Sequence, residues 1–199
     1  MGAADYLSDS EIEFAVESKT LDLGGKVEVF NLVDRSDPGG FEDRFTLSVR
    51  PHAAKFFRFD AEERLERTVY EAETAFLTSY QELRDPHTVC SAYSEECEGA
   101  SCGALVRNIG NRDDNDLVWR NVRIDRSGGR TLVFRCASPF KRHFFVQIDG
   151  GEKRKVSVSA TRGAFFEASL FVNLTQGVHS IRVSNASGWA PDIDVMTLK

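Results

Sequence analysis

Two short acidic runs carry the residue types in this chain best placed to do chemistry. Tyr70-Glu-Ala-Glu73 sets Glu71 and Glu73 two residues apart, and Pro191-Asp-Ile-Asp194 does the same for Asp192 and Asp194. On a β-strand, side chains at i and i+2 leave the same face. If the two strands are neighbours, three or four carboxylates meet at one spot. Like charges that close raise each other's pKa unless a cation neutralises them. A donor set made of oxygen suits a hard divalent cation, with Ca²⁺ the expected one, better than it suits a catalytic dyad. The plainer alternative is an acidic strand end that holds nothing.

Other chemistry-bearing residues are sparse. His52, His87, His143 and His179 show no metal-ligand spacing, and no nucleophile elbow or phosphate loop is present. Asp34 and Asp37 flank a turn and read as turn residues. The four cysteines are Cys90, Cys97, Cys102 and Cys136. They lack the paired spacing of a zinc site. An oxidised loop is expected among the first three, which suits a secreted or periplasmic protein, and no pairing is assigned. Of the two tryptophans, Trp119 sits in the alternating run Leu117-Val-Trp-Arg-Asn-Val122 and is expected in the core. Trp189, in the loop-like Asn185-Ala-Ser-Gly-Trp-Ala-Pro191, is a candidate either for stacking on a ligand or for packing. Asn173 and Asn185 each head a glycosylation sequon, which matters only on a eukaryotic secretory route.

The elements that must position these residues read as strands. Period-two alternation recurs in Lys26–Phe30, Phe45–Val49, Thr131–Phe134, Phe145–Asp149, Ser169–Val172 and Ile181–Val183. Glycine-bearing turns at 37–40, 127–129, 149–151 and 175–177 separate the runs. Short strands at this spacing predict an all-β protein built as a β-sandwich. Only Asp60–Arg67 has helix-like composition, and it is read as a linker or a single helical turn. It divides residues 1–60, too few strands to close a sandwich alone, from residues 68–199, enough for a complete one, with 61–67 as the linker. The 199 residues are 41% hydrophobic and carry a net charge of −6. That supports a packed core and argues against a nucleic-acid partner, which needs a basic face. No run of about 18 apolar residues is present to span a membrane, so none is expected as a partner. No basic-then-apolar leader pattern opens the chain.

Residues 68–199 resemble carbohydrate-binding modules of families 35 and 6, a calcium-containing jelly-roll group. The resemblance rests on Thr68-Val-Tyr-Glu-Ala-Glu73, Asn115–Val122, Gly128–Phe134, Val146–Gly150, Leu174–Arg182 and Trp189–Leu198. It implies that Glu71, Glu73 and Asp194 hold a structural Ca²⁺ tying the first strand to the last. It also implies a sugar site near Asp192, which stands where relatives commonly carry an asparagine. The exchange keeps an acceptor, removes a donor and adds charge. Phe165, in Thr161-Arg-Gly-Ala-Phe-Phe166, stands where relatives have a tryptophan platform, and Asn185 and Tyr93 are further candidates. The first part is similar to the last strands of the C-terminal β-domain of family 27 glycoside hydrolases, through Leu21–Val33 and Phe45–Arg58 with Val49-Arg-Pro-His52. Together the two resemblances imply the non-catalytic C-terminal end of an α-galactosidase-like enzyme. Its expected partners are a carbohydrate, with galactose-bearing glycans foremost, and a catalytic (β/α)₈ barrel. No segment of this chain matches the barrel's catalytic aspartates. The alternative is a purely structural sandwich that packs on the barrel and binds no sugar.

Overall fold

The computed structural model describes residues 10–79 and 91–199. Every strand pairing among them is antiparallel, and no α-helix occurs among them. The all-β expectation therefore holds. The chain divides into two compact units, Met1–Glu66 and Arg67–Lys199.

The first unit holds β1 (Ile12–Glu17), a 3₁₀ turn (Ser18–Leu21), β2 (Leu23–Asn31), β3 (Ser36–Phe41), β4 (Arg44–Val49) and β5 (Phe57–Arg64). β1 pairs with β4, and the remaining three form a sheet in the order β3-β2-β5. Phe45 of β4 meets Phe41, Phe57 and Phe59 of that sheet at ring-centroid distances of 5.4 to 6.1 Å. Two expectations are corrected here. Residues 61–64 of the expected linker belong to β5, where Phe57, Phe59 and Ala61 are half-buried and Arg58, Asp60 and Glu62 face outward. The charged stretch is the solvent face of a strand, and its overall composition hid the alternation. Asp37–Gly40 is strand rather than turn, and the turn occupies 32–35. Pro38 is tolerated because β3 lies at the sheet edge, where a missing N–H costs no ladder bond.

The second unit is a two-sheet sandwich. Its strands are β6 (Val69–Glu71), β7 (Phe76–Leu77), β8 (Tyr93–Glu96), β9 (Ala104–Arg107), β10 (Leu117–Ile124), β11 (Gly128–Ala137), β12 (Arg142–Ile148), β13 (Arg154–Val158), β14 (Phe165–Leu174), β15 (Gly177–Ser184) and β16 (Asp192–Leu198). One sheet runs β13-β12-β15-β10-β7. The other runs β14-β11-β16-β9-β8, with β6 also paired to β16. Alternate residues of the facing strands supply the core, including Leu117, Trp119, Phe134, Phe144, Ile181 and Met196. Phe134 of one sheet meets Phe144 of the other edge to face at 5.2 Å, and Trp119 at 6.2 Å. Trp119 is only 4% exposed, as its alternating run predicts.

The first and last strands of this unit lie side by side, with Glu71 opposite Val195 and Tyr70 opposite Met196. The register of β16 against β11 then slips. Arg135 opposes Val195 while Cys136 opposes Ile193, so Asp194 is the extra residue of a β-bulge. Such a bulge re-aims a side chain and is common beside functional sites.

Candidate functional site

The acidic cluster forms where β6, the bulge of β16 and the hairpin between β8 and β9 meet. Glu71 sits on β6 and Glu73 just after it. The backbone of the segment is tied down at Glu71 and Ala72: the Ala72 N–H donates to the Asp194 carbonyl at 2.9 Å, and the Glu71 carbonyl accepts from the Trp119 indole at 3.1 Å and from Thr74 Oγ1 at 2.9 Å. The core tryptophan therefore fixes the strand that carries the cluster. Glu71 Oε2 and Glu73 Oε2 are sealed from solvent without a hydrogen-bond partner. Buried, unpartnered carboxylate oxygens are costly, and a cation removes that cost. The donor chemistry thus fits a metal ion. Burial pushes the Glu73 carboxyl above its ordinary range; a backbone N–H opposes this, and the Glu71 and Asp194 charges add to it.

Asp194 is engaged differently from the expected third ligand. Its Oδ1 accepts from the Ser101 N–H at 2.8 Å, and its Oδ2 accepts from Arg135 Nη1. Arg135 also donates to the Gly99 carbonyl at 2.9 Å, and Ser101 Oγ donates to Glu71 Oε1 at 2.7 Å. Asp194 and Arg135 therefore clamp the β8–β9 hairpin onto the cluster. The third group within ligating distance of Glu71 and Glu73 is Cys102: one ligand atom from each lies within 4.8 Å of the other two. A hydrogen bond to the Glu71 carboxylate, helped by the charge of Glu71 and then by burial and the charges of Glu73 and Asp194, holds the Cys102 thiol above its ordinary range. Cys97, Cys102 and Cys136 are free thiols. Cys97 and Cys102 are therefore not bonded to each other, and Cys102 lies beside the acidic cluster. Cys90 and His87 lie outside the described residues.

Three of the sugar-site candidates share one row across the outer face of the six-stranded sheet. Phe165 opposes Ala137, and Ala137 opposes Asp192. On the next strands Tyr93 opposes Arg107, whose Nε lies 3.8 Å from Asp192 Oδ2 and 2.6 Å from Glu95 Oε2. Opposed residues point to the same side of a sheet. Their neighbours Cys136, Ile193 and Val106 belong to the core, so the row faces away from it. Tyr93, Phe165 and Asp192 are each half-buried. Burial pushes the Asp192 carboxyl up, while the Arg107 and Arg142 guanidiniums oppose the shift. The Arg135 guanidinium lies 3.9 Å from the Phe165 ring centroid and covers one face of it.

The other two candidates fall elsewhere. Asn185 is 2% exposed, and its amide nitrogen donates to the His143 carbonyl at 2.9 Å. The side chain braces a loop and lies apart from the row of the other three. Its burial removes Asn185 as an accessible glycosylation acceptor, whereas Asn173 is exposed. Trp189 is half-buried in the loop before β16, where its backbone bridges to Gly110. The sequence reading missed Ser101, Cys102, Arg107 and Arg135. The signal available for the first two was Glu98-Gly-Ala-Ser-Cys-Gly103, a tight hairpin closed by glycines at 99 and 103 with φ of 80° and 78°.

No protein-family model matches the chain, and no curated protein sequence matches it. Solved structures do. The family 35 carbohydrate binding module from Clostridium thermocellum is 26% identical over 65% of this chain and 96% of its own, with a TM-score of 0.58. The exo-beta-1,3-galactanase from Phanerochaete chrysosporium, solved with galactose, is 21% identical over 77% of this chain, with a TM-score of 0.56. The isomalto-dextranase from Arthrobacter globiformis T6, complexed with panose, is 17% identical over 96% of this chain, with a TM-score of 0.62. The match spans 33% of each of these two longer chains. The chain thus resembles family 35 carbohydrate-binding modules and parts of glycoside hydrolases.

Proposed function

We propose that residues 67–199 recognise carbohydrate as a non-catalytic part of a glycoside hydrolase, and that a cation at Glu71 and Glu73 stabilises the module. The observation that carries this reading is the row Phe165, Asp192, Arg107, Tyr93. Two aromatic rings flank charged hydrogen-bonding groups on a sheet face turned away from the core. Sugars are bound by such sets, because flat rings meet C–H faces while polar groups take the hydroxyls. The likeness to the Clostridium thermocellum module supports it. Ca²⁺ is the proposed ion, and its task is structural: it neutralises the carboxylates of β6 and makes folding depend on metal. A module of this kind raises the local concentration of substrate around its enzyme.

The proposed parent is α-galactosidase-like, on the resemblance of residues 21–33 and 45–58 to the tail domain of family 27 enzymes, and secreted or periplasmic. Galactose-bearing glycans are the proposed ligands, and the catalytic barrel is the proposed partner of the first unit. Calorimetric titration with galacto-oligosaccharides, in Ca²⁺ and in EDTA, tests the reading. Heat of binding in Ca²⁺ that falls in Tyr93→Ala and Phe165→Ala is the expected result. No heat with any glycan would overturn sugar binding.

A second reading is a purely structural sandwich that packs on the barrel. It is favoured by the engagement of Asp192 with Arg107 and by Arg135 covering one face of Phe165. Wild-type binding with no loss in either aromatic variant would also count against the proposed row.

A further inference from the structure

Phe140 is the most exposed large apolar side chain among the described residues, at 65%. It stands in the turn between β11 and β12, and that turn is fixed at both ends. Ser138 is fully buried, and its Oγ donates to the Phe140 carbonyl at 2.8 Å while accepting from the Phe140 N–H at 3.4 Å. The Ser138 carbonyl accepts from the Thr161 N–H at 2.8 Å and from Thr161 Oγ1 at 3.0 Å, and its N–H donates to Thr161 Oγ1 at 3.1 Å. Pro139, between them, has its φ set by its own ring. Past the turn, Arg142 Nη1 donates to the Ala190 carbonyl at 2.7 Å. A buried hydroxyl and several backbone groups thus hold an apolar ring in water, where it gains nothing from burial. Order without burial suits a ring that meets a ligand, because little freedom is left to lose on binding.

The turn leaves directly from the proposed sugar row. Ala137 opposes Phe165 on one side and Asp192 on the other. Thr161, which clamps Ser138, also opens the turn that leads into Phe165, where the Ala164 N–H donates to the Thr161 carbonyl at 3.0 Å. Opposed Cα atoms lie about 5 Å apart and three residues of chain reach about 11 Å at most, so the Phe140 and Phe165 Cα atoms lie within about 16 Å. A short oligosaccharide covers that span.

We propose that Phe140 is a second aromatic platform of the carbohydrate site, meeting a sugar unit beyond the one held at Phe165 and Asp192, so that the site selects an oligosaccharide over a single sugar. The inference rests on the carbohydrate reading above and assigns the direction in which the ligand leaves the row, past the end of β11 toward the β11–β12 turn. The contact is a ring face against the C–H face of a pyranose, and no bond is made or broken. Ser138 and Thr161 are positioning residues, holding the turn that presents the ring.

The test is calorimetric titration of the full chain, in Ca²⁺, with galactose, galactobiose, galactotriose and galactotetraose. Wild-type affinity is expected to rise about three- to tenfold as the ligand lengthens beyond one unit. Phe140→Ala should remove that rise and leave galactose affinity unchanged, with an unchanged Tm because the ring is exposed. Phe140→Trp should restore the rise or exceed it. Phe165→Ala should instead weaken galactose and the oligosaccharides alike. No gain with length in the wild type, a full gain in Phe140→Ala, or an equal loss in that variant for galactose and for the oligosaccharides would overturn the second platform, while the row at Phe165 stands. A wild type that binds no glycan overturns both.

Discussion

Glu71 and Glu73 are held close to Asp194 by strand pairing, and two of their oxygens have no donor. Without an ion the burial of Glu73 disfavours its charged form. A carboxyl whose folded pKa is raised contributes stability that is fully present below its unfolded pKa and lost as pH rises through the folded value. The metal-free protein is therefore expected to gain stability as pH falls toward the carboxylate range, in thermal unfolding recorded in EDTA. Glu73→Gln should remove that gain and leave the metal-free protein at neutral pH no less stable than wild type. It should also abolish the rise in Tm on adding cation. Its Tm with cation present should thus fall below that of the wild type. The same two residues show how much of the site was legible. Their i, i+2 spacing is read directly from the sequence, whereas their meeting with the last strand is an expectation of the family resemblance and is made by the pairing of β6 with β16. That Asp194 would be taken by Arg135 is read from neither, because the bulge that re-aims it exists only in the register of β16 against β11.

At the scale of elements, two loops decide how strands are tied together. His179 of β15 sits 2.6 Å from Asp149 Oδ2 through Nδ1 and 2.8 Å from the Thr175 carbonyl through Nε2. Both ring nitrogens face acceptors, which calls for the doubly protonated imidazolium. Burial pushes the imidazole pKa down, but the Thr175 carbonyl and the Asp149 carboxylate outweigh it, and the net shift is upward. For Asp149, burial pushes up while the Ser180 N–H and His179 outweigh it, and the net shift is downward. The histidine's contribution is complete below its ordinary pKa and is lost as pH rises through the raised one. The aspartate's is complete above its ordinary pKa and is lost as pH falls through the lowered one. The stability difference between wild type and His179→Gln should therefore be largest near pH 5 to 6, at roughly 1 to 2 kcal/mol, and shrink at alkaline pH. Chemical denaturation across pH checks it. The second loop depends on Gly110, whose φ is 96° and where an added Cβ would lie 2.5 Å from the Gly188 carbonyl oxygen. Gly110→Ala is expected to cost about 1 to 3 kcal/mol and to alter Trp189 fluorescence, since the two residues are bridged. The sequence marked the loop around Trp189 by its flanking glycine and proline. It did not mark Gly110, because the partner loop is distant in the chain.

For the whole molecule, the two units differ in how well they bury their apolar residues. The contiguous core lies wholly within Arg67–Lys199. Among the described residues of the first unit only Val27 and Val29 are buried hydrophobics, while Ile12 and Phe14 are each 48% exposed. Residues 67–199 expressed alone should therefore unfold cooperatively with a Tm close to that of the same unit in the whole chain, and residues 1–66 alone should not. Phe134→Ala, in the middle of the sandwich, should destabilise the second unit by about 3 to 5 kcal/mol. An unchanged calorimetric transition in that variant would contradict the core assigned here.

The sequence by itself determined the strand content, the sandwich and the two acidic pairs. Alternation and turn residues act locally, over neighbouring positions, and remain readable in one dimension. It misread residues 60–64 and the turn at 37–40, where composition and glycine count masked a strand whose role is set by pairing, while the boundary between the units does fall within 61–67. Only the tertiary structure decided which groups share the site. Ser101, Cys102 and Arg135 reach the acidic cluster from a hairpin and a neighbouring strand, and Arg107 reaches Asp192 across the sheet; both meetings depend on sheet order, and the first on one bulge. The four carboxylates therefore divide by environment. Glu71 and Glu73 keep unpartnered buried oxygens, Asp194 is neutralised by a guanidinium, and Asp192 faces Arg107 in the row beyond.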